Sequence, residues 1–449
     1  MLHAGFSRIN ITPPMGIDIV GYYKERKAEG VLDELEANAV ALSLKEKKVL
    51  LITVDHCGIF KPILDDYKKA ISKKTGVDIS AIFIHSTHTH TGPMLLVETD
   101  DKLINDYKIS LGEKLVILSQ QALCDLKPAK MGYGVGVAPN IAFIRRFRMK
   151  DGSIKTNPGV NNPDIDSPIG EVDERVNVIR FDRDGAESIV IVNFGDHPDT
   201  VGGNLISADW PGFTRRIVEK SIDNVKCIFF NGAQGDVNHV NVNPKNGDFN
   251  DMFVDFDGVS RGYGHARYMG RVVTGAVLQV YDKVNYVPVN TLSYLQKMVE
   301  IPSNKPNLED MPLAHKYNDL HNAGRDDEIP FKAMMLTTVV AEAARMVRLE
   351  HAPDAFPMLF SAVRIGPVAL FGIPGEPFTG VGRALKETPN YDLVLPCCNT
   401  NAKEGYFPMR EAYIEGGYEA KASNFKEGVA EKIICEGQKI LTDLLSTED

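Results

Sequence analysis

Short apolar runs bounded by turn residues recur along the chain and predict buried β-strands. These runs cover residues 49–55, 81–87, 176–181, 188–194, 226–231, 367–373 and 393–397. Between them, apolar residues spaced three or four positions apart predict amphipathic helices. The helical patterns cover residues 103–126, 331–349 and 425–445. The alternation of the two patterns predicts an α/β protein in which helices flank mixed β-sheets.

The domain organisation follows from what lies between these elements. No segment has the composition of an interdomain linker, so we expect residues 1–449 to form one catalytic unit. Residues 150–171 and 243–264 are rich in turn-forming residues and predict two long surface excursions. These excursions are candidate lids or dimer arms. A homo-oligomer is therefore one expectation, and the sequence leaves the oligomeric state open.

Polar clusters stand at or just beyond the ends of four of the predicted strands. Their candidate functional residues are His85, His88, His90, His197, Asp236, Asn238, His239 and Glu376. In open α/β sheets, ligands bind beyond the carboxyl ends of strands, where loops converge. If the four strands are parallel neighbours, His88, His197, Asp236 and Glu376 should line one cavity.

The charge and composition exclude several classes of partner. The 449-residue chain has a formal net charge of -10 and no long Lys/Arg cluster, which argues against nucleic acid, because phosphate binding needs concentrated positive charge. We expect no transmembrane segment, since no run of about 18 apolar residues occurs. No export signal is apparent, so we expect a cytoplasmic location. The six cysteines include no CxxC pair and predict buried thiols rather than disulfides or a thiolate metal site.

The imidazoles and carboxylates of the clusters suit a catalytic metal ion. His88 and His90 can project from one face, because residues two apart do so in an extended backbone. Two or three imidazoles plus one carboxylate, without thiolates, match a catalytic Zn²⁺ site with an open position. Iron, manganese and nickel accept the same ligand types. The plainer interpretation is a loop of hydrogen-bonded imidazoles, with Glu376 as a carboxylate near the start of a helix.

Six ordered motifs resemble the catalytic domain of neutral (alkaline, non-lysosomal) ceramidases, which are zinc amidases that hydrolyse the N-acyl bond of ceramide. The motifs are HTHTGP at 88–93, DHP at 196–198, ADWPG at 208–212, NGAQGDV at 231–237, PGEP at 374–377 and the segment 406–418. The resemblance implies the fold of the neutral-ceramidase catalytic domain. The chain ends soon after the last motif, so we expect it to lack the immunoglobulin-like C-terminal domain of longer members.

The resemblance also implies roles for individual residues. The implied zinc ligands are His88, His197, Glu376 and Tyr406. The residues implied to bind the substrate oxygen or the developing oxyanion are His90, Arg145 and Tyr418. Arg146 stays open as the alternative to Arg145, and we expect His85 to be structural.

One position departs from the ceramidase pattern. Ceramidases carry a serine, required for amide hydrolysis, directly after Gly-Asp-Val, whereas this chain carries Asn238. An amide cannot replace a hydroxyl nucleophile, although it can donate and accept hydrogen bonds in a cavity, so we expect Asn238 to be a catalytic-site residue without being the nucleophile. We therefore expect zinc-dependent hydrolysis of a carbon–nitrogen amide bond by metal-activated water, on a small-molecule substrate that is smaller and more polar than ceramide.

Two other functions stay open at this point. A metal-dependent esterase or phosphoesterase could use a second metal site built from Asp55, His56, Asp236 and His239. A catalytically silent protein could instead keep the zinc for structure or for ligand capture, and Asn238 is the residue that favours this alternative.

Overall fold

Helices pack on two mixed β-sheets in the residues that the computed structural model describes, which are 1–23, 25–249, 254–255, 259–260 and 262–446. The strands are β1 (His3–Asn10), β2 (Gly30–Val31), β3 (Glu36–Leu44), β4 (Lys47–Val54), β5 (Ile82–Ser86), β6 (Lys127–Val137), β7 (Phe143–Ile144), β8 (Arg146–Met149), β9 (Ile154–Thr156), β10 (Ile165–Pro168), β11 (Arg175–Arg183), β12 (Ser188–Phe194), β13 (Leu205–Ile206), β14 (Val225–Asn231), β15 (Val237–Asn238), β16 (Val254–Asp255), β17 (Val259–Ser260), β18 (Asn285–Val287), β19 (Leu292–Pro302), β20 (Ala355–Ile365), β21 (Val368–Gly372), β22 (Glu376–Pro377), β23 (Leu393–Cys397) and β24 (Tyr406–Phe407). The α-helices are α1 (Lys61–Thr75), α2 (Lys102–Cys124), α3 (Asp209–Ser221), α4 (Tyr263–Val280), α5 (Met311–Asn322), α6 (Ala333–Leu349), α7 (Thr379–Lys386), α8 (Arg410–Glu415), α9 (Tyr418–Ala422) and α10 (Val429–Leu445).

The elements predicted from the apolar patterns are present. The seven predicted strands are β4, β5, β11, β12, β14, β21 and β23, and the three predicted helices are α2, α6 and α10. Local capping supports one of these boundaries, because the Asp101 carboxylate accepts a hydrogen bond from the Ile104 amide at 3.0 Å where α2 begins. The predicted class, mixed sheets flanked by helices, is confirmed.

The larger sheet contains three of the four strands that lead to polar clusters. Its nine strands run in the order β14-β12-β11-β6-β1-β3-β4-β5, with β18 paired to β6. The β12–β14 and β4–β5 pairs are parallel. Strands β5 and β14 thus stand at opposite ends of the order, although both lead to candidate site residues.

The fourth strand belongs to the smaller sheet, whose order is β19-β20-β21-β23. In this sheet β21 and β23 are parallel, and β21 leads to Glu376. The assumption that the four strands are parallel neighbours in one sheet is therefore wrong. Their ends meet for another reason, because hydrogen bonds join strand ends of the two sheets.

Backbone and amide groups make this junction. The Asn193 side chain on β12 donates to the Pro396 carbonyl on β23 at 2.9 Å. The Cys398 amide donates to the Asn231 carbonyl at 3.0 Å, and the Asn231 amide donates to Nε2 of His85 at 2.8 Å. These bonds hold the ends of β5, β12, β14 and β23 together.

Apolar side chains fill the spaces between the layers. One core cluster includes Leu50 of the larger sheet together with Leu370 and Leu395 of the smaller sheet. Helix α2 lies on β1 and β3 of the larger sheet, and α1 packs against α2 and β5. Helices α3 and α4 lie near β14 and β6, and α7 and α10 lie on the smaller sheet. Burial of these apolar faces supplies the main stabilising free energy of such layers.

Long antiparallel strands were missed by the sequence patterns, namely β1, β3, β6, β19 and β20. Strand β6 shows a physical reason, because Gly132, Gly134 and Gly136 interrupt its apolar pattern. A Cβ at Gly136 would lie 2.1 Å from the Ala276 carbonyl oxygen of α4. Glycine in a strand can therefore mark close helix packing as well as a turn.

The remaining expectations had mixed outcomes. The 150–171 excursion contains β9 and β10, which form a three-stranded sheet with β8. Residues 250–253, 256–258 and 261 of the other excursion lie outside the described residues.

All six cysteines are free, but Cys124 and Cys435 are exposed, so the prediction of buried thiols is wrong for these two. None of the helices in the described ranges has the length and apolar character needed to cross a membrane.

Candidate metal centre

The candidate site forms where loops from both sheets meet. His88 and His90 follow β5, and His197 follows β12. Glu376 lies in β22 and Tyr406 in β24, and these two short strands pair in parallel with Glu376 directly opposite Tyr406. The larger sheet thus contributes the imidazoles, while segments beyond the smaller sheet contribute the carboxylate and the phenol.

His88, His197 and Glu376 form a compact buried triad. Nε2 of His88 lies 3.3 Å from Oε2 of Glu376, and Nε2 of His197 lies 3.2 Å from the same oxygen. The exposed fraction of each residue is 2% or less. His88 has a φ of 78°, which a residue with a side chain rarely adopts, and such backbone strain is concentrated at functional sites.

Backbone carbonyls fix the orientation of both imidazoles. Nδ1 of His88 lies 2.5 Å from the Cys57 carbonyl oxygen, and Nδ1 of His197 lies 2.8 Å from the Gln234 carbonyl oxygen. A carbonyl oxygen only accepts, so each Nδ1 donates its proton and the neutral imidazole presents a lone pair on Nε2.

The triad therefore fits a cation. Two Nε2 lone pairs face one carboxylate oxygen at close range, an arrangement that repels unless a positive charge lies between them. Within the described residues, Nε2 of His197 and Oε2 of Glu376 have no hydrogen-bond partner. Two imidazoles and a carboxylate are a donor set that divalent transition metals accept. The three residues also form one of the two described groups whose ligand atoms lie close enough to share a metal ion.

Without a metal ion, a proton partly takes the place of the cation. Burial opposes protonation of His88, but Cys57 and Glu376 raise its pKa to about 10. Burial and the charge of Arg145 lower the pKa of His197. Burial opposes ionisation of Glu376, but the charges of His88 and Lys403 hold its pKa well below the usual value. Metal binding would thus displace a proton from His88.

Tyr406 and Arg145 lie beside the triad. The Tyr406 ring stacks on His197 with 6.3 Å between ring centroids. The Arg145 guanidinium lies 5.4 Å from the centre of the Tyr406 ring and hydrogen-bonds the phenol. Nε of Arg145 donates to Oε1 of Glu419 at 2.7 Å, and Nη2 donates to the Gly235 carbonyl at 2.7 Å. These contacts fix Arg145 against the aromatic wall of the site.

Solved ceramidase structures match this fold along its whole length. A neutral ceramidase from Pseudomonas aeruginosa superposes with a TM-score of 0.71 and 18% identity, over 99% of this chain and 74% of that one. A ceramidase complexed with C2 superposes with a TM-score of 0.72 and 16% identity, over 100% of this chain and 76% of that one. The chain has the neutral-ceramidase fold. The resemblance inferred from the motifs is therefore confirmed for the fold, although no protein-family model and no curated protein matches the sequence.

His85 in β5 and His90 after it have different contacts in this ceramidase-like fold. Nε2 of His90 lies 3.3 Å from Nε2 of His88, so His90 borders the triad. Burial and the charge of His88 hold the pKa of His90 well below its usual value, which keeps the imidazole neutral. His85 accepts from the Asn231 amide and contacts Thr400, which fits the expected structural role.

Asn238, which directly follows Gly-Asp-Val, is fully buried and hydrogen-bonded at both ends of its amide. Its Nδ2 donates to Oδ1 of Asn157 at 3.1 Å. Its Oδ1 accepts from the Val240 amide at 3.1 Å. The Asn238 amide therefore fixes the backbone at Val240 and the 150–171 excursion, which contains Asn157.

The two candidate arginines have different partners, and the second tyrosine lies beside Tyr406. Arg146 donates to Glu415 and to the Gly416 carbonyl, whereas Arg145 contacts Tyr406. The Tyr418 ring packs edge-on against Tyr406 at 5.5 Å between centroids, so Tyr418 also borders the site.

The residues considered for a second metal do not come together. Asp55 accepts from Arg215, and His56 hydrogen-bonds the Tyr107 hydroxyl. Asp236 caps α7 and so does not line the cavity as expected, while His239 bonds Asp199. The other described metal-capable group, Cys57, His88 and His90, shares His88 with the triad.

Sequence reasoning missed Lys403, whose Nζ lies 3.2 Å from Oε1 of Glu376. It also missed Asn399, whose Nδ2 lies 3.1 Å from Nδ1 of His88. A single lysine or asparagine in a polar loop has no distinguishing pattern. The one signal in the sequence was that Asn399 and Lys403 lie shortly before Tyr406, which the resemblance implies to be a zinc ligand.

A cavity of about 400 Å³ lies between β9 and α6, and Tyr418 forms part of its wall. Its walls include Asn157, Met334, Met335, Val339, Tyr418 and Lys421. Because Tyr418 also contacts Tyr406, this largely apolar space adjoins the surroundings of the triad.

Proposed function

We propose that the chain is a zinc-dependent hydrolase that cleaves a carbon–nitrogen amide bond with metal-activated water. The observation that carries the proposal is the convergence of the His88 and His197 lone pairs on Oε2 of Glu376. This convergence occurs within a fold shared with solved ceramidases. The neighbours supply the fold alone, and the chemistry of the donor set supports the reaction class.

The proposed zinc ligands are His88, His197, Glu376 and Tyr406. The metal would polarise the scissile carbonyl and lower the pKa of a water molecule that it binds. Burial and the charge of Glu376 raise the pKa of the Tyr406 phenol well above its usual value. Tyr406 is therefore the ligand whose engagement depends most on the metal charge.

We propose that the residues around the triad orient the substrate. Nε2 of His90 reaches the space next to the ligand atom of His88 and can donate to the carbonyl oxygen or the developing oxyanion. The Tyr418 hydroxyl donates to the Tyr23 hydroxyl at 3.4 Å and can turn toward substrate. Arg145 holds the Tyr406 phenol, and Asn238 supports the loop through hydrogen bonds.

The test is chelation and reconstitution of the full chain, with metal content and hydrolysis of short N-acyl amides as readouts. Chelation should abolish hydrolysis, and one equivalent of Zn²⁺ should restore it. His197→Ala should lose both metal and turnover, because the triad loses one of its two imidazoles. The matched control is His315→Ala, which removes a partly exposed imidazole paired with Glu350 and should change neither readout.

The outcomes separate the alternatives. Full amidase activity in metal-free protein would refute the zinc mechanism. Tight binding of one Zn²⁺ without hydrolysis of amides would favour the silent binding protein. Two tightly bound ions per chain with phosphoester cleavage would favour the phosphoesterase.

The proposal treats residues 1–449 as one catalytic unit that acts on a small amide in the cytoplasm. Limited proteolysis that yields one resistant core would support the single unit. Cell fractionation with detection of the native chain would test its location.

A further inference from the structure

One face of helix α6 lines the cavity of about 400 Å³, which is called the α6 cavity below. The lining residues of this face stand one turn apart, since Met334 is followed by Thr338 and Met335 by Val339. Ile154 of β9 lines the opposite wall. The volume is near the lower end of the range of about 300–1,000 Å³ that is typical of small-molecule sites.

Hydrogen bonds hold α6 against α9, the short helix that begins at Tyr418. Nε of Arg345 on α6 donates to the Lys421 carbonyl at 2.8 Å, and Nζ of Lys421 donates to Oε1 of Glu342 at 2.8 Å. The walls that these helices contribute are therefore fixed relative to each other. A rigid site loses little entropy when it binds a ligand.

Two wall residues of the α6 cavity also contact residues of the candidate metal centre. The Tyr418 ring packs edge-on against Tyr406, with 5.5 Å between ring centroids. Oγ1 of Thr156 donates to Oε2 of Glu419 at 3.0 Å, and Oε1 of the same carboxylate accepts from Nε of Arg145 at 2.7 Å. Tyr418 thus borders both the α6 cavity and the proposed ligand Tyr406.

The lining selects the chemistry of the ligand. The side chains of Met334, Met335 and Val339 are apolar, and Met335 is 45% exposed, so apolar surface is left for a ligand to cover. Methionine side chains are unbranched and flexible, and they adapt to an apolar ligand of varying shape. A flexible alkyl chain of limited length therefore fits this space.

We propose that the α6 cavity holds the acyl chain of the substrate and that Met335 and Val339 limit its length, so that the preferred substrates are amides of medium-chain acyl groups. This inference rests on the proposed amidase function and names its substrate class. Tyr418, proposed above to orient the substrate, lines the cavity, so a substrate bound there can extend its acyl chain into it. The acyl group also carries the reacting carbon, and a pocket that holds it keeps that carbon in place while the amine leaves.

The experiment compares N-methylamides of acyl chains from acetyl to hexadecanoyl. N-Heptylacetamide is included as the isomer of N-methyloctanamide that carries its chain on the amine. Val339→Phe fills part of the cavity, and Met335→Ala enlarges it. The control Met298→Ala truncates a methionine of β19 that is 51% exposed. Amine release gives kcat/KM, and zinc content and circular dichroism are measured for every variant.

We expect kcat/KM to rise about fourfold with each added CH₂ and to stop rising before hexadecanoyl, when the cavity is full. Val339→Phe should move the maximum to shorter chains and Met335→Ala to longer ones, while Met298→Ala leaves it in place. N-Methyloctanamide should react at least about tenfold faster than N-heptylacetamide. The proposal would be overturned by a rate that ignores chain length, by a rise that continues to hexadecanoyl, by a preference for N-heptylacetamide, or by a maximum that neither variant moves.

A binding measurement separates this inference from the proposed function. Octanamide and acetamide are titrated calorimetrically into the chelator-treated full chain. We expect octanamide to bind at least about tenfold more tightly, with a negative heat-capacity change, and Val339→Phe to reduce the difference. Such binding without hydrolysis of any amide would refute the amidase and retain the ligand site in the α6 cavity. Hydrolysis of amides at a rate that ignores chain length, together with equal binding of the two probes, would do the reverse.

Discussion

Asn238 shows how a side chain expected at a catalytic position can instead hydrogen-bond the surrounding backbone and loop. Its amide bonds Asn157 on one side and the Val240 amide on the other. The sequence identified the departure from serine, but the direction of the side chain depends on an excursion about eighty residues earlier in the chain. The three triad residues were found through motifs, whereas Lys403 was missed because a single lysine in a polar loop carries no motif signal.

Replacing Asn238 with alanine should destabilise the fold more than it affects metal binding. The change leaves the buried Val240 amide and the Asn157 side chain without partners, which costs about 1–3 kcal/mol per unsatisfied group. Urea unfolding would measure the loss, and metal analysis should show unchanged zinc content. The exposed Asn307→Ala is the control and should change the free energy of unfolding by less than about 0.5 kcal/mol. A zinc-free but fully stable Asn238→Ala protein would contradict the structural role.

At the scale of elements, one carboxylate ties the loop after β14 to helix α7. Oδ1 of Asp236 accepts from the Thr379 amide at 2.7 Å, and Oδ2 accepts from the Thr379 hydroxyl at 3.0 Å. The sequence predicted that Asp236 faces the cavity, because strand-end acids commonly do. Helix α7, however, begins beside this loop, and its unpaired amides need an acceptor. The predicted strands fared better, since each apolar run carries its own signal.

Asp236→Asn should change how stability depends on pH. Burial raises the pKa of the Asp236 carboxyl to about 6, above its unfolded value. Ionisation of this group therefore disfavours the folded state, and the penalty grows as pH rises from about 4 to about 6. Asparagine keeps a hydrogen bond to each Thr379 group without the charge. Relative to the variant, the wild type should lose about 2–3 kcal/mol between pH 4 and pH 7 in urea titrations. A difference that stays constant over this range would refute the assignment.

At the scale of the whole molecule, the candidate metal centre joins the two sheets. His88 and His197 extend from the larger sheet, while Glu376 and Tyr406 follow or flank strands of the smaller sheet. A bound ion would therefore resist separation of these layers. Any ligand that binds only the folded state also stabilises it by mass action.

Zinc should raise the melting temperature of the chain, with a stabilisation of about 2.7 kcal/mol when free zinc is a hundred times its Kd. The shift should be larger at pH 8 than at pH 6, because binding displaces the proton that Cys57 and Glu376 hold on His88. Differential scanning calorimetry with buffered zinc would measure both effects. His197→Ala should abolish the shift, and a variant that keeps the full shift would show that zinc binds elsewhere.

The sequence by itself determined the apolar strands, the helices and the types of residue that surround the candidate metal centre. It also determined the ceramidase-like fold through the order of its motifs. Tertiary structure decided which groups act together, because that depends on contacts between distant segments. The carbonyls of Cys57 and Gln234 orient the two imidazoles, and the junction of the sheets brings Glu376 to them. Only this packing reveals Lys403 beside the carboxylate, since a single lysine carries no periodic or motif signal.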